Sequence, residues 1–572
     1  MQRTLDKIRD WHIVAVIILA GAIIYGKSVT YTFTFTDDVR LITLNRDILD
    51  SFANIPKLFR TDAFLSVTSA QLFYRPMLNI LLMIETQIAN GSPAIYHLTN
   101  ILLHLGCSVL LFRILQQLGC GRIVAGIFAL LFCVHPLNTS AVVWIPGQND
   151  ILLTLFVLAS FSFLLRALET RRISPLVWHF VFFFLALLTK ESAVVFPVLT
   201  VSYVVLFHRS TLTRKIWGSG LLAYVIIAGI WFTLRSAVPQ TFTVHLRTGF
   251  FLTSSLHNIP ALLLYLGKVF FPFNLSIFPN LGDNSVWLGA ASLVILIMAL
   301  ILWRPPTLKH IFWGFGWFIL FIAPTLISGF IFFEHRAYSA FFGLLFAFSQ
   351  FPAVQAFDLS KKAHIAGFGL IVAIFSVIAI VHSEQFRDRT AYATSAYISN
   401  PSVDASYANL AELFVGQGNY DDAERVVRKG LARNPAMNTS HRVLADILAH
   451  RGNYNQAATE YETSLRLNPL QLNTYIAYGK MCIDAGRPDE AARIWRTSVA
   501  VNPGFILGYY YLANFYVHVK NDPDSSMMYV RQIQERGMTV LPELLQAIQE
   551  CRDKETKSNT NQAPSTARRA DE

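Results

Sequence analysis

Between Trp11 and His382 the chain returns again and again to uncharged apolar runs of about twenty residues, and beyond His382 it stops doing so. A run of roughly 18 or more apolar residues is long enough to cross a bilayer as a helix. In hydrocarbon only helices and closed barrels satisfy their own backbone groups. Eleven such runs can be counted, at about 12–34, 97–116, 123–145, 151–168, 175–189, 191–208, 216–234, 286–303, 311–332, 337–357 and 364–383. Residues 1–383 are therefore expected to form an all-α, polytopic membrane domain. The overall 53% hydrophobic and 15% charged content averages that domain with a polar remainder.

The net charge of +11 raises the question of a nucleic-acid partner. Its distribution answers against one, because the basic residues fall in short clusters on alternate connections between the runs. These are Arg3, Lys7 and Arg9; Arg113 and Arg122; Arg166, Arg171 and Arg172; Arg209, Arg214 and Lys215; Arg304 and Lys309; Lys361 and Lys362. The positive-inside rule puts that set in the cytoplasm. The N-terminus is then cytoplasmic and everything after residue 383 extracytoplasmic. Leu256–Phe278 could be a twelfth span, but it carries Lys268, Pro272 and Asn274, and counting it would invert the charge asymmetry of every later loop. It is read as surface-lying or re-entrant. The first run lacks a small-residue cleavage site and is expected to stay as an anchor. The five cysteines form no CxxC pair, so neither a metal nor a redox site is indicated.

After residue 383 the signal is a period. Gly418, Gly452 and Gly486 are 34 residues apart, as are Asn434, Asn468 and Asn502, each followed by Pro, and Ala423, Ala457 and Ala491. A 34-residue helix–turn–helix period is the tetratricopeptide (TPR) pattern. Glycine ends the first helix, alanine lets the paired helices approach, and proline ends the second. The expected layout is a half-repeat helix over 384–402, an α-solenoid over 403–551 with a degenerate fourth repeat at 505–538 and a capping helix Leu541–Cys551, and a disordered tail over 552–572. Such arrays bind peptides in a concave groove; the alternative is a scaffold that only supports its neighbour.

Near the expected outer face the sequence collects Asp37, Asp38, Arg75, Asp150, Lys190, Glu191, Glu334, His335 and Arg336. Ionisable groups close to spans are costly unless paired or solvated, and commonly mark function. "DD" is either a solvated juxtamembrane pair or a carboxylate general base. Adjacent helical positions diverge by about 100°, so one acid faces a reacting atom and the other caps, pairs or holds a metal. "TKES" (Thr189–Ser192) is either a neutralised turn or a point charge for phosphate. "FFEHRAYS" (Phe332–Ser339) offers a guanidinium suited to phosphate oxygens, or an interfacial Arg336 paired with Glu334. "FYRPMLN" (Phe73–Asn79) is either a structural turn or the source of one more cation, Arg75. His104 and His135 lie within spans and are read as hydrogen-bonded packing groups. No HxxxH, GxGxxG or P-loop occurs, so zinc hydrolysis and nucleotide binding are not indicated.

In order along the chain stand "FTDDVRLITLNRD", "YRPMLNILL", "YHLTNILLHLGCSVLLF", "LLFCVHPLNTSAVVWIPGQNDILLTLF", "LLTKESAVVFPVLTVSY" and "EHRAYSAFFGL". Ahead of a TPR tail this set resembles the transmembrane-and-TPR protein O-mannosyltransferase (TMTC-like) family and its bacterial relatives, lipid-dependent GT-C glycosyltransferases. The resemblance covers residues 1–540. It implies inverting transfer of a sugar, mannose, from a polyprenyl-phosphate donor (dolichyl- or undecaprenyl-type) to an extracytoplasmic hydroxyl, a protein Ser or Thr. Asp37 or Asp38 would be the base, Asp37 by analogy with the first acid of the family's pair. Arg336, His335, Lys190 and Arg75 would bind the donor phosphate, with Glu191, Glu334 and Asp150 supporting. Where the family usually has acid–Arg, an aromatic and "LPS", this chain inserts His335 and continues "AYSAFFG". No cofactor is required, though the acid pair could hold a divalent cation.

Two other classes stand beside this one. A membrane-anchored TPR scaffold has no need for acids and bases gathered on one face. A transporter calls for mid-membrane ionisable groups or inverted repeats, which the sequence does not display. Sequons at Asn90, Asn274 and Asn438 fall on the outer side and are compatible with the endoplasmic-reticulum lumen. The short TPR array and the polar tail without a retention signal favour a bacterial inner membrane with a periplasmic TPR domain.

Overall fold

The computed structural model describes residues 9–65, 73–208, 214–238, 253, 255–305, 307–327, 331–358, 360–536 and 540–561. Arg3, Lys7 and Arg209 of the basic clusters, and the end of the tail at 562–572, lie outside them. Among the described residues every regular element is a helix. The chain divides into two compact units, the first running to Ser406 and the second starting at Tyr407.

In the first unit an apolar helix stands at each of the eleven expected runs. Six of these, Asp10–Thr30, Ala94–Gln117, Ile145–Thr170, Gly218–Ser236, Leu308–Ile327 and Lys362–Phe386, are long and apolar enough to cross a membrane. A seventh is Arg122–Val134 with Pro136–Val143, bent by 48°, where Pro136 lacks the N–H that would carry the helix on. Ile173–Thr189, Glu191–Phe207 and Trp287–Trp303 are apolar but shorter. The run expected over 337–357 is interrupted: helix Tyr338–Ser349 stops before Pro352, which opens a separate turn. In the segment 256–278 the helix is Pro260–Phe270, 11 residues. At about 1.5 Å per residue it reaches only about half of a hydrocarbon core of roughly 30 Å.

The main apolar cluster of this unit includes Phe112, Phe132, Phe161, Trp317 and Phe342, with smaller clusters beside it, one around Leu49, Leu78 and Tyr96. The connector 384–402 is built into the main cluster, since Phe386, Tyr392 and Ala396 are buried there. Asn400 fixes its end by accepting from the Phe278 N–H at 2.9 Å and donating to Ser276 at 3.2 Å. His104 and His135 are buried and hydrogen-bonded, His104 to the Tyr338 hydroxyl at 2.6 Å and the Cys133 carbonyl at 3.0 Å, His135 to the Val269 carbonyl at 3.0 Å.

The second unit is a row of helices in which Asn438–His450 pairs with Tyr454–Leu467, Leu472–Asp484 with Pro488–Val501, and Ile506–His518 with Pro523–Glu535, after the second helix of the first repeat, Tyr420–Arg433. Gly418, Gly452 and Gly486 take φ of 76°, 77° and 71°, left-handed values that side chains rarely adopt. In the degenerate repeat Asn521, at φ 53°, fills the same office, as asparagine can. Ala423, Ala457 and Ala491 are fully buried. The final helix runs past its expected end at Cys551 to Asn561. Its polar face supports it through i,i+4 bonds from Gln546 to Glu550 (2.8 Å) and Gln549 to Asp553 (3.0 Å).

Candidate functional site

The two acids of the opening motif have different surroundings. Asp38 is buried, and its carboxylate accepts from the backbone N–H groups of Thr34, Thr36 (2.7 Å) and Val39 (3.0 Å) and from the Thr34 hydroxyl (3.1 Å). Thr34 in turn accepts from the Trp144 indole at 3.2 Å. The turn is tight because Phe35 sits at φ 60°, a left-handed conformation that strains a residue other than glycine. Asp38 is thus committed to holding that turn. Asp37 accepts no hydrogen bond among the described residues and is only partly buried. Burial pushes its carboxyl above the usual range; Arg40 and Arg75 pull it back, and Asp38 adds to the rise.

Three cations, Lys190, Arg336 and Arg75, gather around His335, each set by its own partner, and Arg75 also acts on Asp37. Lys190 bonds both oxygens of the buried Asp150, at 2.6 and 2.7 Å. Burial pulls its ammonium down to about 8, with Asp150 opposing and Arg75 and Arg336 reinforcing. Arg75 pairs with Glu191 at 3.3 Å, and Glu191 also accepts from the Tyr74 N–H at 2.7 Å and from Arg235 at 3.5 Å. Arg336 lies over the Phe333 ring at 5.1 Å and donates to the Ile331 carbonyl at 3.4 Å. It faces a cavity of about 480 Å³ whose walls include Phe333, Asn280 and Ser402.

His335 sits among the cations but does not join them. Its ring lies against Phe333 (5.1 Å) and Trp144 (5.3 Å). Burial, then Lys190, Arg336 and Arg75, hold it well below its ordinary range, so it can offer a phosphate an N–H but no charge.

Glu334 does not pair with the neighbouring Arg336. It binds Lys268 at 2.6 Å, the Ser276 N–H at 2.9 Å and His382 at 3.1 Å, all buried. Burial alone would raise its carboxyl, but Lys268 and His382 outweigh that and hold it below the usual range. The expected residues are therefore set apart by their partners: one carboxylate left open, three cations oriented, and Glu334 buried with Lys268 and His382. Lys268, His382 and Arg235 were not among the expected site residues. Lys268 alone had a sequence signal, as a charge inside an apolar stretch. Among the described residues no three His, Cys, Asp or Glu side chains converge as for a metal.

Over the same region the family model described as dolichyl-phosphate-mannose-protein mannosyltransferase matches residues 75–231. Tetratricopeptide models match 409–471 and 473–497. Among curated proteins, protein O-mannosyl-transferase TMTC2 of Mus musculus is 30% identical over 204 residues, 33% of this chain and 23% of its own. Over that stretch the chain is similar to the TMTC proteins. TMTC3 of Mus musculus is 31% identical over 151 residues, 26% of this chain and 16% of its own. TMTC4 of Homo sapiens is 34% identical over 154 residues, 24% and 20% respectively. The matched stretch spans less than a quarter of the length of these relatives. A solved structure, "Crystal structure of MamA", covers 32% of this chain and 95% of its own at 16% identity and a TM-score of 0.22, from which no shared overall fold follows.

Glu85 is another residue without a signal in the sequence. Buried on helix Pro76–Ala89, it accepts from Gln148 at 2.6 Å through one oxygen, while the other has no partner. Burial pushes its carboxyl up to about 8 from 4.5, with Gln148 and Thr99 pulling back. Between those values the folded protein binds more protons here than the unfolded chain. Stability therefore falls as pH rises through that window, by at most roughly 1.4 kcal/mol per pH unit. Glu85→Gln is expected to flatten that slope and to melt above the wild type at the alkaline end. Detergent-solubilised melting curves across the window check this; an unchanged slope would show that the carboxyl reaches water.

Proposed function

We propose that the chain transfers a sugar, mannose, from a polyprenyl-phosphate donor to the hydroxyl of a protein Ser or Thr, with inversion at the anomeric carbon. The observation that carries this is a carboxylate, Asp37, that accepts no hydrogen bond among the described residues and feels Arg75, which with Lys190 and Arg336 also surrounds His335. In this reading Asp37 takes the acceptor's proton as its oxygen attacks the anomeric carbon. The bond from that carbon to the phosphate oxygen breaks, and its electron pair leaves with the lipid phosphate. Charge grows on the phosphate in the transition state, where preorganised cations count most. His335 contributes a hydrogen bond. The cavity at Arg336, with Phe333, Asn280 and Ser402 in its walls, combines an aromatic face with polar groups in the manner of a sugar site. The TPR unit holds the acceptor polypeptide, and its neighbour is a membrane of the secretory route or of a bacterial cell, with the site on the extracytoplasmic side.

The test is release of lipid phosphate, and labelling of a Ser/Thr peptide pool, when purified protein in liposomes meets polyprenyl-phosphate mannose. The pH dependence has a stated form. Activity falls at acid pH as Asp37 takes its proton, below a point raised above 3.8. It falls again as pH rises through about 8, where Lys190 loses its charge. The alkaline limb belongs to the free enzyme and is expected in kcat/KM rather than in kcat, because a bound phosphate holds the ammonium charged. Lys190→Arg moves that limb upward. No turnover with any of several lipid-linked sugars, in protein that melts normally, would sink the proposal.

A further inference from the structure

We infer that the groove opening at the turn Arg171–Arg172 binds an anionic phospholipid of the surrounding membrane, its phosphate on the two guanidinium groups. The groove holds about 300 Å³ between helices Gln148–Thr170, Ile173–Thr189, Phe196–Phe207 and Arg214–Ser236. Its sides are apolar, with Leu164, Leu168, Leu176, Val204 and Leu221 among them. Its polar groups are closed on one another. The His179 ring bonds the Tyr224 hydroxyl at 2.6 Å and the Ser160 hydroxyl at 2.8 Å, and Tyr224 bonds Thr200 at 2.6 Å. The inner part of an occupant is therefore asked only to be apolar.

At the mouth the demand is opposite. Arg171 and Arg172 are exposed and both line the groove. Among the described residues neither makes an ion pair or a side-chain hydrogen bond, and Glu169, two residues back, pairs with neither. Two guanidinium forks from one turn match phosphate oxygens. An apolar body with an anionic phosphate end is the chemistry of a phospholipid. Basic pockets between spanning helices, on the face where Lys and Arg collect, bind acidic headgroups for this reason.

The experiment uses the full chain, delipidated in a neutral detergent and titrated with phosphatidylglycerol, phosphatidylcholine or inorganic phosphate while its melting temperature is read. Phosphatidylglycerol is expected to raise the melting temperature saturably, and phosphatidylcholine to act at much higher concentration. Arg171→Gln with Arg172→Gln is expected to weaken the phosphatidylglycerol midpoint by about thirtyfold, the loss of two surface cations, while leaving the lipid-free melting temperature unchanged. Ala167→Trp, which narrows the groove with both arginines kept, is expected to lose the response as well. Lys361→Gln with Lys362→Gln removes the same charge from another loop and is expected to respond as wild type. Equal responses to the two lipids overturn the inference, as do an arginine variant that titrates like wild type and a lysine variant as impaired as the arginine one. A shift produced by inorganic phosphate alone also overturns it, in favour of an adventitious ion only.

Discussion

Asp37→Asn is expected to lower sugar transfer by about 10²–10⁴-fold, the range that general-base catalysis contributes, while melting temperature and donor binding stay at wild-type values. Asp38→Asn is expected to do the reverse in part. Its carboxylate accepts three backbone N–H groups in the turn before the helix Asp37–Leu41. An amide can keep the bonds made through one oxygen but turns a donor toward the others. Hydrogen bonds to charged groups contribute about 1.5–3 kcal/mol each, so loss of one such bond is expected to lower stability by that amount. Activity then falls because Asp37 is displaced, and it recovers partly at lower temperature. Parallel measurements of lipid-phosphate release, melting and donor binding on both variants separate the roles. Near-normal turnover in Asp37→Asn, or loss of turnover in Asp38→Asn at unchanged stability, would reverse the assignment.

The second large effect lies behind His335 and Arg336. Lys268→Met leaves Glu334 buried with His382 as its remaining ionisable partner. Removing one member of a buried ion pair costs about 3–5 kcal/mol, while replacing both partners by neutral groups of similar size is often nearly neutral. Lys268→Met alone is therefore expected to be strongly destabilised, and Lys268→Met with Glu334→Gln to recover most of the loss. Because Glu334, His335 and Arg336 share one turn, Glu334–Ala337, the single variant is expected to lose activity in the same measure as stability. Denaturant or thermal unfolding of the two variants decides it. A single variant as stable as wild type would mean that Lys268 and Glu334 are solvated rather than buried.

Much of this was legible from local pattern. The helices appear where the apolar runs are, because a twenty-residue uncharged stretch has few other ways to satisfy its backbone in a membrane. The solenoid follows from the 34-residue step, since the glycine, alanine and asparagine–proline positions each answer a requirement within one repeat: a left-handed φ, a close helix approach, a helix end. The final helix was underestimated for a related reason. A stretch rich in Ser, Thr, Asn and charge reads as disordered by composition, yet here it continues as helix to Asn561 from the capping helix before it.

The chemistry of the site was legible only as a list. "DD", "TKES" and "EHR" could be picked out as ionisable groups beside apolar runs, but what each does depends on neighbours far away in sequence. Local spacing pairs Glu334 with Arg336, two residues on; the fold pairs it with Lys268 and His382, 66 and 48 residues away. Two adjacent aspartates are equivalent as letters. The left-handed Phe35 aims the N–H groups on either side of it, those of Thr34 and Thr36, at Asp38, while Asp37 stays open beside Arg75. The sequence by itself determined the helices, the repeat and the supply of charges, because those rest on periodicity and on short-range sterics. Which acid is hydrogen-bonded into a turn and which is left uncommitted was decided by tertiary packing, because the desolvation and pairing of a charge are set by whatever the fold brings within a few ångströms of it.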